Sequence, residues 1–306
     1  MDTFCAIETY GRNASAAAKA AHAETLRLEK LFSIGLPDSD VGRINASDNH
    51  ITSISTETAS VIKTALAVSE LTGGAFDITV EPIARLWGFY DAEQRIPLPQ
   101  EIARATALTD YTRLELDPER MLLRTGEGQR IDLGGIAKGY VSDRLVEVFR
   151  AYSIRGGLIT LGGHVHAYGV REGGDAWRIG IRDPLDNTGI IGVLSVSNLS
   201  IDTAGSYQRY FERDGVRYHH IMDPHTGAPA SGGLLSATIV CKSGAMADAM
   251  ATACFVLGAE QAIRLWCDEG GFEMILVTTD KQVFYTSELN ITNRSGSYAF
   301  VEISKG

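Results

Sequence analysis

The chain has 306 residues, which allows two ordinary domains or one large α/β or α+β unit with a sizeable core and excludes a minimal module. With 44% hydrophobic and 22% charged residues its composition is globular, and its 32 glycines, above the ~7% average, anticipate tight turns and close backbone approaches. A formal charge of −10 without a basic patch argues against nucleic acid and anionic lipid as partners. No apolar run approaches the ~20 residues of a membrane span, and the opening MDTFCAIETYG lacks the regions of a secretory signal.

In chain order, residues 13–32 place Ala18, Ala21, Leu28, Leu31 and Phe32 near one helical face, with Asn13 or Ser15 as N-cap. Residues 60–71 repeat the pattern through Val61, Ile62, Ala65, Leu66 and Val68, and Gly73 with Gly74 stops it. Residues 139–152 align Val141, Leu145, Val148, Phe149 and Tyr152, and helices are also expected over 244–257 and 259–269, ended by Gly258 and by Gly270 with Gly271. β-Branched or aromatic runs read as strands at 113–117, 121–124, 158–161, 164–170, 177–182, 191–197, 207–212, 216–222, 235–241, 273–279, 282–287 and 298–303. Asp214 with Gly215, and Thr279 to Lys281, lie between such runs as hairpin turns. The expected class is therefore α+β, largely antiparallel sheets with packed helices. No linker, repeat or charge block divides the chain, so residues 1–306 read as one catalytic unit with two lobes. Cys5, Cys241, Cys254 and Cys267 show no CxxC spacing, and buried, inert thiols are expected.

Residues 130–140, RIDLGGIAKGY, run a short strand through paired glycines into a helix. Free N–H groups at such a helix start bind anions, and glycine lets a phosphate come close. The spacing of Gly134, Gly135 and Gly139 is neither that of a Rossmann turn nor that of a P-loop, and a plain turn with a solvated Lys138 carries the same signature. Asp248 and Thr252 in DAMAT stand four apart on one helix face. They are two hard oxygen donors suited to Mg²⁺, or a helix-dipole partner and a packed threonine. In YHHIMDPHTG, residues 218–227, a strand sends His219 and His220 to opposite faces; the inward one is a general base or a satisfied core imidazole, and Asp223 caps the turn. His164 and His166 share a strand face, either as a transition-metal pair without an evident third ligand or as a half-exposed surface. In GGAFDITV, residues 73–80, a helix end meets an alternating run. There Phe76 is core or a stacking surface, and Asp77 a turn residue or an acceptor for a purine. HExxH and GxSxG are absent, which removes zincin and nucleophile-elbow readings.

Read in order, these pieces resemble the ApbE family of Mg²⁺-dependent FAD:protein FMN transferases. The family's opening MGT is similar to Met1-Asp2-Thr3, its FSxYxxxSxxxxLN to FSIGLPDSDVGRIN at 32–45, and its GxFDITVxPL to GAFDITVEPI at 74–83. DLGGIAKGY follows at 132–140, LGG at 161–163, DTAGSYQRYF at 202–211 for the usual TSGxYxRYF, then HHIMDPHTG, DAMAT and VLG at 256–258. The likeness spans essentially the whole chain. It departs at Gly35, where the family commonly has a flavin-site Tyr, at Ala204 for the Ser of TSG, and at His164, where Asn or Asp is more usual. The family motif usually lies downstream of a signal peptide or lipobox. The resemblance thus implies the periplasmic side of a bacterial cell envelope, with or without a lipid anchor, for a trimmed chain, and the cytoplasm if Met1 is the native start.

The resemblance implies transfer of FMN from FAD to a Thr or Ser hydroxyl of an acceptor, with release of AMP. The acceptor it implies is a flavoprotein subunit of redox-complex type bearing a DxxTGAT-like segment. FAD hydrolysis to FMN and AMP, or flavin binding without catalysis, are the alternatives. It further implies Asp248 and Thr252 as Mg²⁺ ligands with carbonyls of Gly135, or Ala137, and of Ala251. Flavin-nucleotide contacts fall on Met1, Ala75, Phe76, Asp77, Asp132, Lys138 and Met222, and His220 accepts the hydroxyl proton. Metal, Lys138 and backbone amides then stabilise charge on the leaving AMP. Two consequences are expected. Thr226, in the acceptor-like DPHTGAP at 223–229, is not flavinylated, and Asp248→Ala abolishes turnover without loss of stability, an unmetallated carboxylate being a liability.

Overall fold

The computed structural model describes residues 3–90, 93–292 and 295–305. Its helices are α1 (Ala14–Phe32), α2 (Asp40–Ala46), α3 (Thr56–Leu71), α4 (Glu81–Leu86), α5 (Pro99–Thr106), α6 (Ala137–Ala151) and α7 (Gly244–Glu269). A central sheet takes its strands in chain order: β1 (Cys5–Tyr10), β2 (Gly156–Leu161), β3 (His164–Gly169), β4 (Leu199–Gly205), β5 (Leu234–Cys241), β6 (Glu273–Thr278), β7 (Gln282–Thr286) and β8 (Ala299–Ile303). Neighbours run antiparallel except β7 and β8, which are parallel. The α+β class expected from the sequence holds.

Alternation along the strands builds two cores, because successive side chains point to opposite faces. Ala237, Ile239, Cys241, Met274 and Leu276 pack with α1, α3, α6 and α7. Val240, Ile275 and Val277 face Trp177, Ile179 and Leu194 of a small sheet made by Trp177–Asp183, Asp186–Val196 and Ile291–Thr292. The α6 stripe behaves as its periodicity requires: Val141, Leu145 and Phe149 are fully buried, each contributing about 1.5–3 kcal/mol of transfer free energy. A third cluster gathers Ile83, Ala84, Trp87, Phe89, Ala105 and Met222. It pins the DPHTG turn, since Trp87 Nε1 donates to the Gly227 carbonyl at 2.9 Å. Among the described residues no helix is long and apolar enough to cross a membrane.

Local differences from the sequence expectations have physical causes. Asn13 stands at the N-cap of α1 but does not cap it, its Nδ2 donating instead to the Tyr152 carbonyl at 3.0 Å. α3 starts four residues before the apolar stripe because Ser55 caps it, accepting from the Thr58 N–H. Gly258, at φ 77°, breaks α7 into the two helical segments expected. The run at 73–80 is not a strand: Ile78–Val80 is a 3₁₀ turn whose cap is Asp77. The strand expected at 207–212 is instead Tyr210–Arg213, hairpinned to Val216–His219 through Asp214 and Gly215. Cys267 is exposed, as is Cys5, so only Cys241 and Cys254 are buried thiols.

Candidate active site

The sequence blocks singled out by their chemistry converge on the start of α6. Asn45, at the end of FSIGLPDSDVGRIN, brackets Ile131: its Nδ2 donates to the Ile131 carbonyl at 2.9 Å and its Oδ1 accepts the Ile131 N–H at 2.7 Å. The next residue, Asp132, donates its N–H to the Ile78 carbonyl at 2.7 Å, which joins DLGG to the DITV turn. The Phe76 ring lies over Gly135. A Cβ on Gly135 would come within 3.1 Å of that ring and 3.6 Å of Thr252 Oγ1, so glycine, ring and α7 hydroxyl share one small volume.

α6 and α7 cross glycine on glycine. A Cβ on Gly139 would sit 1.9 Å from the Gly244 carbonyl oxygen, and one on Gly244 would sit 2.3 Å from that of Gly139. This closeness brings Asp248 to the α6 N-terminus, where Oδ2 accepts the Gly139 N–H at 2.9 Å and Oδ1 meets Lys138 Nζ at 2.6 Å. Asp248 is 1% exposed and Lys138 22%. Burial pulls the Lys138 ammonium down, but Asp248, Asp202 and Asp132 outweigh it and hold the lysine above its ordinary range. The pair is thus an ion pair at a helix N-terminus beside a glycine turn.

His219 and His220 do leave their strand on opposite faces. His219 is the inward ring, donating through Nε2 to the Ala230 carbonyl at 3.0 Å and packed edge-on to Phe255, so it is a core imidazole. His220 is half-buried, with Nδ1 3.1 Å from the Arg209 carbonyl. A carbonyl only accepts, so Nδ1 carries the hydrogen and Nε2 keeps its lone pair. Burial, with Arg209 and Lys138 adding positive charge, pushes its pKa down to about 4. The group is therefore a neutral base at physiological pH.

The sequence profile of the ApbE family matches residues 1–276. The chain belongs to the ApbE family. The FAD:protein FMN transferase of Treponema pallidum is 33% identical over 305 residues, covering 92% of this chain and 84% of that protein. The one of Escherichia coli K12 is 30% identical over 265 residues, 84% of this chain and 75% of that protein. The crystal structure of the ApbE protein of Thermotoga maritima matches with a TM-score of 0.84 at 34% identity, covering 95% of this chain and 92% of that one. The flavin transferase ApbE of Vibrio cholerae matches with a TM-score of 0.83 at 26% identity, covering 97% and 95%.

Within this ApbE fold the residues named from sequence fall into distinct settings. Gly135, Lys138, Asp248 and Thr252 come together at the helix crossing. Ala251, the residue before Thr252, is buried inside α7. Asp77 caps its turn: Oδ1 accepts from the Thr79 N–H and hydroxyl, both at 2.7 Å, and Oδ2 from the Tyr111 N–H at 2.9 Å. Asp132 accepts from the Gly134 N–H at 2.8 Å and the Tyr90 hydroxyl at 2.5 Å. Ala75 and Phe76 are buried beside the turn, and Met222 is buried in the third cluster opposite Pro229. Met1 lies outside the described residues. Gly35 is exposed and Ala204 is a core residue of β4.

His164 and His166 are not a metal pair. His164 Nδ1 faces Asp202 Oδ1 at 3.1 Å and its Nε2 faces Ser142 Oγ at 2.8 Å, while His166 Nδ1 faces Ser200 Oγ at 2.7 Å. Among the described residues no group of three or more His, Cys, Asp or Glu could hold a metal. Asp248 neutralises Lys138 and accepts the Gly139 N–H, contacts that argue against the expectation that Asp248→Ala keeps its stability. Sequence reasoning missed Asp202, a second carboxylate buried near Lys138. The signal was its place in DTAG, where it is the one charged residue of the strand LSIDTAG.

Proposed function

We propose that the chain transfers FMN from FAD to a Thr or Ser hydroxyl of an acceptor protein, releasing AMP, with Mg²⁺ as cofactor. The observation that carries this reading is the Lys138–Asp248 pair at the glycine turn, 2.6 Å between charged atoms, in a chain whose relatives are named for this activity. The residues fit the metal: Asp248, Thr252 and a carbonyl of the turn are hard oxygen donors, and the Lys138 ammonium already occupies a cation's place at Asp248 Oδ1. Bound there, Mg²⁺ would supply positive charge to the pyrophosphate of FAD.

The chain's own groups do the rest. Lys138 and the N–H groups of the turn offer positive charge where the leaving AMP gathers negative charge. His220 takes the proton of the attacking hydroxyl on Nε2 as the new O–P bond to FMN forms and the bond between the two phosphates of FAD breaks. The acceptor in this reading is a redox-complex flavoprotein subunit with a DxxTGAT-like segment. AMP release from FAD and Mg²⁺ tests the proposal, run with and without a domain bearing such a segment. Release that depends on the domain supports transfer. AMP and free FMN appearing without it indicate a pyrophosphatase, and FAD held intact indicates a binding protein.

A further inference from the structure

We infer that His164 and Asp202 are positioning residues for the Lys138–Asp248 pair, acting through Ser142 and the backbone of Gly139. The inference rests on the transfer reading above. Asp202 on β4, His164 on β3 and Ser142 on α6 are all buried, His164 and Ser142 completely. They form a continuous chain: Asp202 Oδ1 to His164 Nδ1 at 3.1 Å, and His164 Nε2 to Ser142 Oγ at 2.8 Å. Ser142 passes its hydroxyl hydrogen to the Gly139 carbonyl at 2.7 Å. A carbonyl cannot donate, so that hydrogen belongs to Ser142, whose oxygen also faces the ring and so joins it to the helix.

A Ser-His-Asp row of this kind does not make a hydrolase here. The serine is fully buried and its hydrogen is spent on the helix. Its effect falls on Gly139, which has no side chain to fix its backbone. Gly139 is held at both ends: its carbonyl by Ser142, its N–H by Asp248 at 2.9 Å. Lys138, one residue before, takes its direction from that held segment. The network therefore ties the central sheet to the first turn of α6, where the cation and carboxylate must meet.

The test uses Ser142→Ala, His164→Leu, Asp202→Ala and Asp202→Asn in the full chain, with two readouts. The first is amide hydrogen exchange in the unliganded protein. The Gly139 amide is expected to exchange about tenfold faster in Ser142→Ala and His164→Leu, while Leu145 and Val146 keep their protection. The second is FAD turnover per folded molecule. It is expected to fall about tenfold in kcat, with KM for FAD nearly unchanged, as misplacement of a catalytic group requires. Asp202→Asn, which keeps a polar group facing the ring, is expected to lose less than Asp202→Ala. Should His164→Leu fail to fold, Ser142→Ala, which removes a single atom, carries the test. Unchanged Gly139 exchange overturns the inference, as does faster exchange with kcat intact. A wild-type chain that releases no AMP sinks the transfer reading and this one with it, and that is seen before any variant is compared.

Discussion

Asp143 and Asp248 cap each other's helices. Asp143, on α6, accepts the N–H groups of Gly244 at 2.6 Å and Ala245 at 3.0 Å, the first two residues of α7. Asp248, on α7, accepts the N–H of Gly139 in the first turn of α6 at 2.9 Å. Each carboxylate satisfies orphan donors and meets the positive end of the other helix's dipole. The exchange is possible only because the helices touch backbone to backbone.

Gly139→Ala should break that contact. The added Cβ would lie 1.9 Å from the Gly244 carbonyl oxygen, backbone against backbone, so no flexible side chain can yield. Overpacking typically costs about 1–3 kcal/mol, and the loss here should reach the upper end. A urea unfolding curve with an unshifted midpoint would refute the crossing described.

Substitutions at Asp248 should separate charge from hydrogen bonding. Asp248→Ala leaves the Lys138 ammonium without its partner, a change that typically costs about 3–5 kcal/mol when a buried pair is broken. Asp248→Asn keeps an oxygen for the Gly139 N–H and should lose less. Both should release no AMP across a Mg²⁺ titration. Thermal melts supply the stability comparison, and a melt of Asp248→Ala equal to the wild type would mean that Lys138 does not depend on Asp248.

His166 should make stability depend on pH. Burial, reinforced by His164 and Arg150, pushes its pKa down to about 3, against ~6.5 in the unfolded chain. Between those values the unfolded state binds more protons, so stability rises with pH across that window and the contribution is complete above ~6.5. Urea melts at about pH 4.5 and about pH 7.5 should show a smaller difference for His166→Gln than for the wild type. Equal differences would remove His166 from the account.

The long helices and their order were legible because α1, α6 and α7 carry apolar stripes long enough to fix their own period. α4 and α5 were not, being short elements set by distant partners such as the Trp87 bond to Gly227, 140 residues away. β1 escaped notice because none of its side chains is fully buried, which leaves no alternation to read. The spacing of Asp248 and Thr252 on one helix face could be counted along the chain. The ion pair could not, since Lys138 and Asp248 are 110 residues apart. Asp77 shows the opposite case: an aspartate two residues before a threonine reads as a turn cap along the chain, and its three bonds bear the cap out.

Thr226 should carry no flavin. Its hydroxyl donates to Asp223 Oδ2 at 2.9 Å, and the same turn places the His225 N–H on Asp223 Oδ1 at 2.9 Å, so the acceptor-like sequence is folded as a closed turn. The purified chain, incubated with FAD and Mg²⁺, should run on a denaturing gel without fluorescence. A covalent yellow band that disappears in Thr226→Ala would show the opposite.

The most direct measurement is the intact mass of an acceptor domain bearing a DxxTGAT-like segment, after incubation with FAD, Mg²⁺ and either the wild-type chain or Asp248→Asn. The wild type should add one FMN-sized increment, lost when the acceptor threonine becomes alanine, and Asp248→Asn should add none. An acceptor that stays unmodified with the wild type, or is modified equally by Asp248→Asn, would contradict the account.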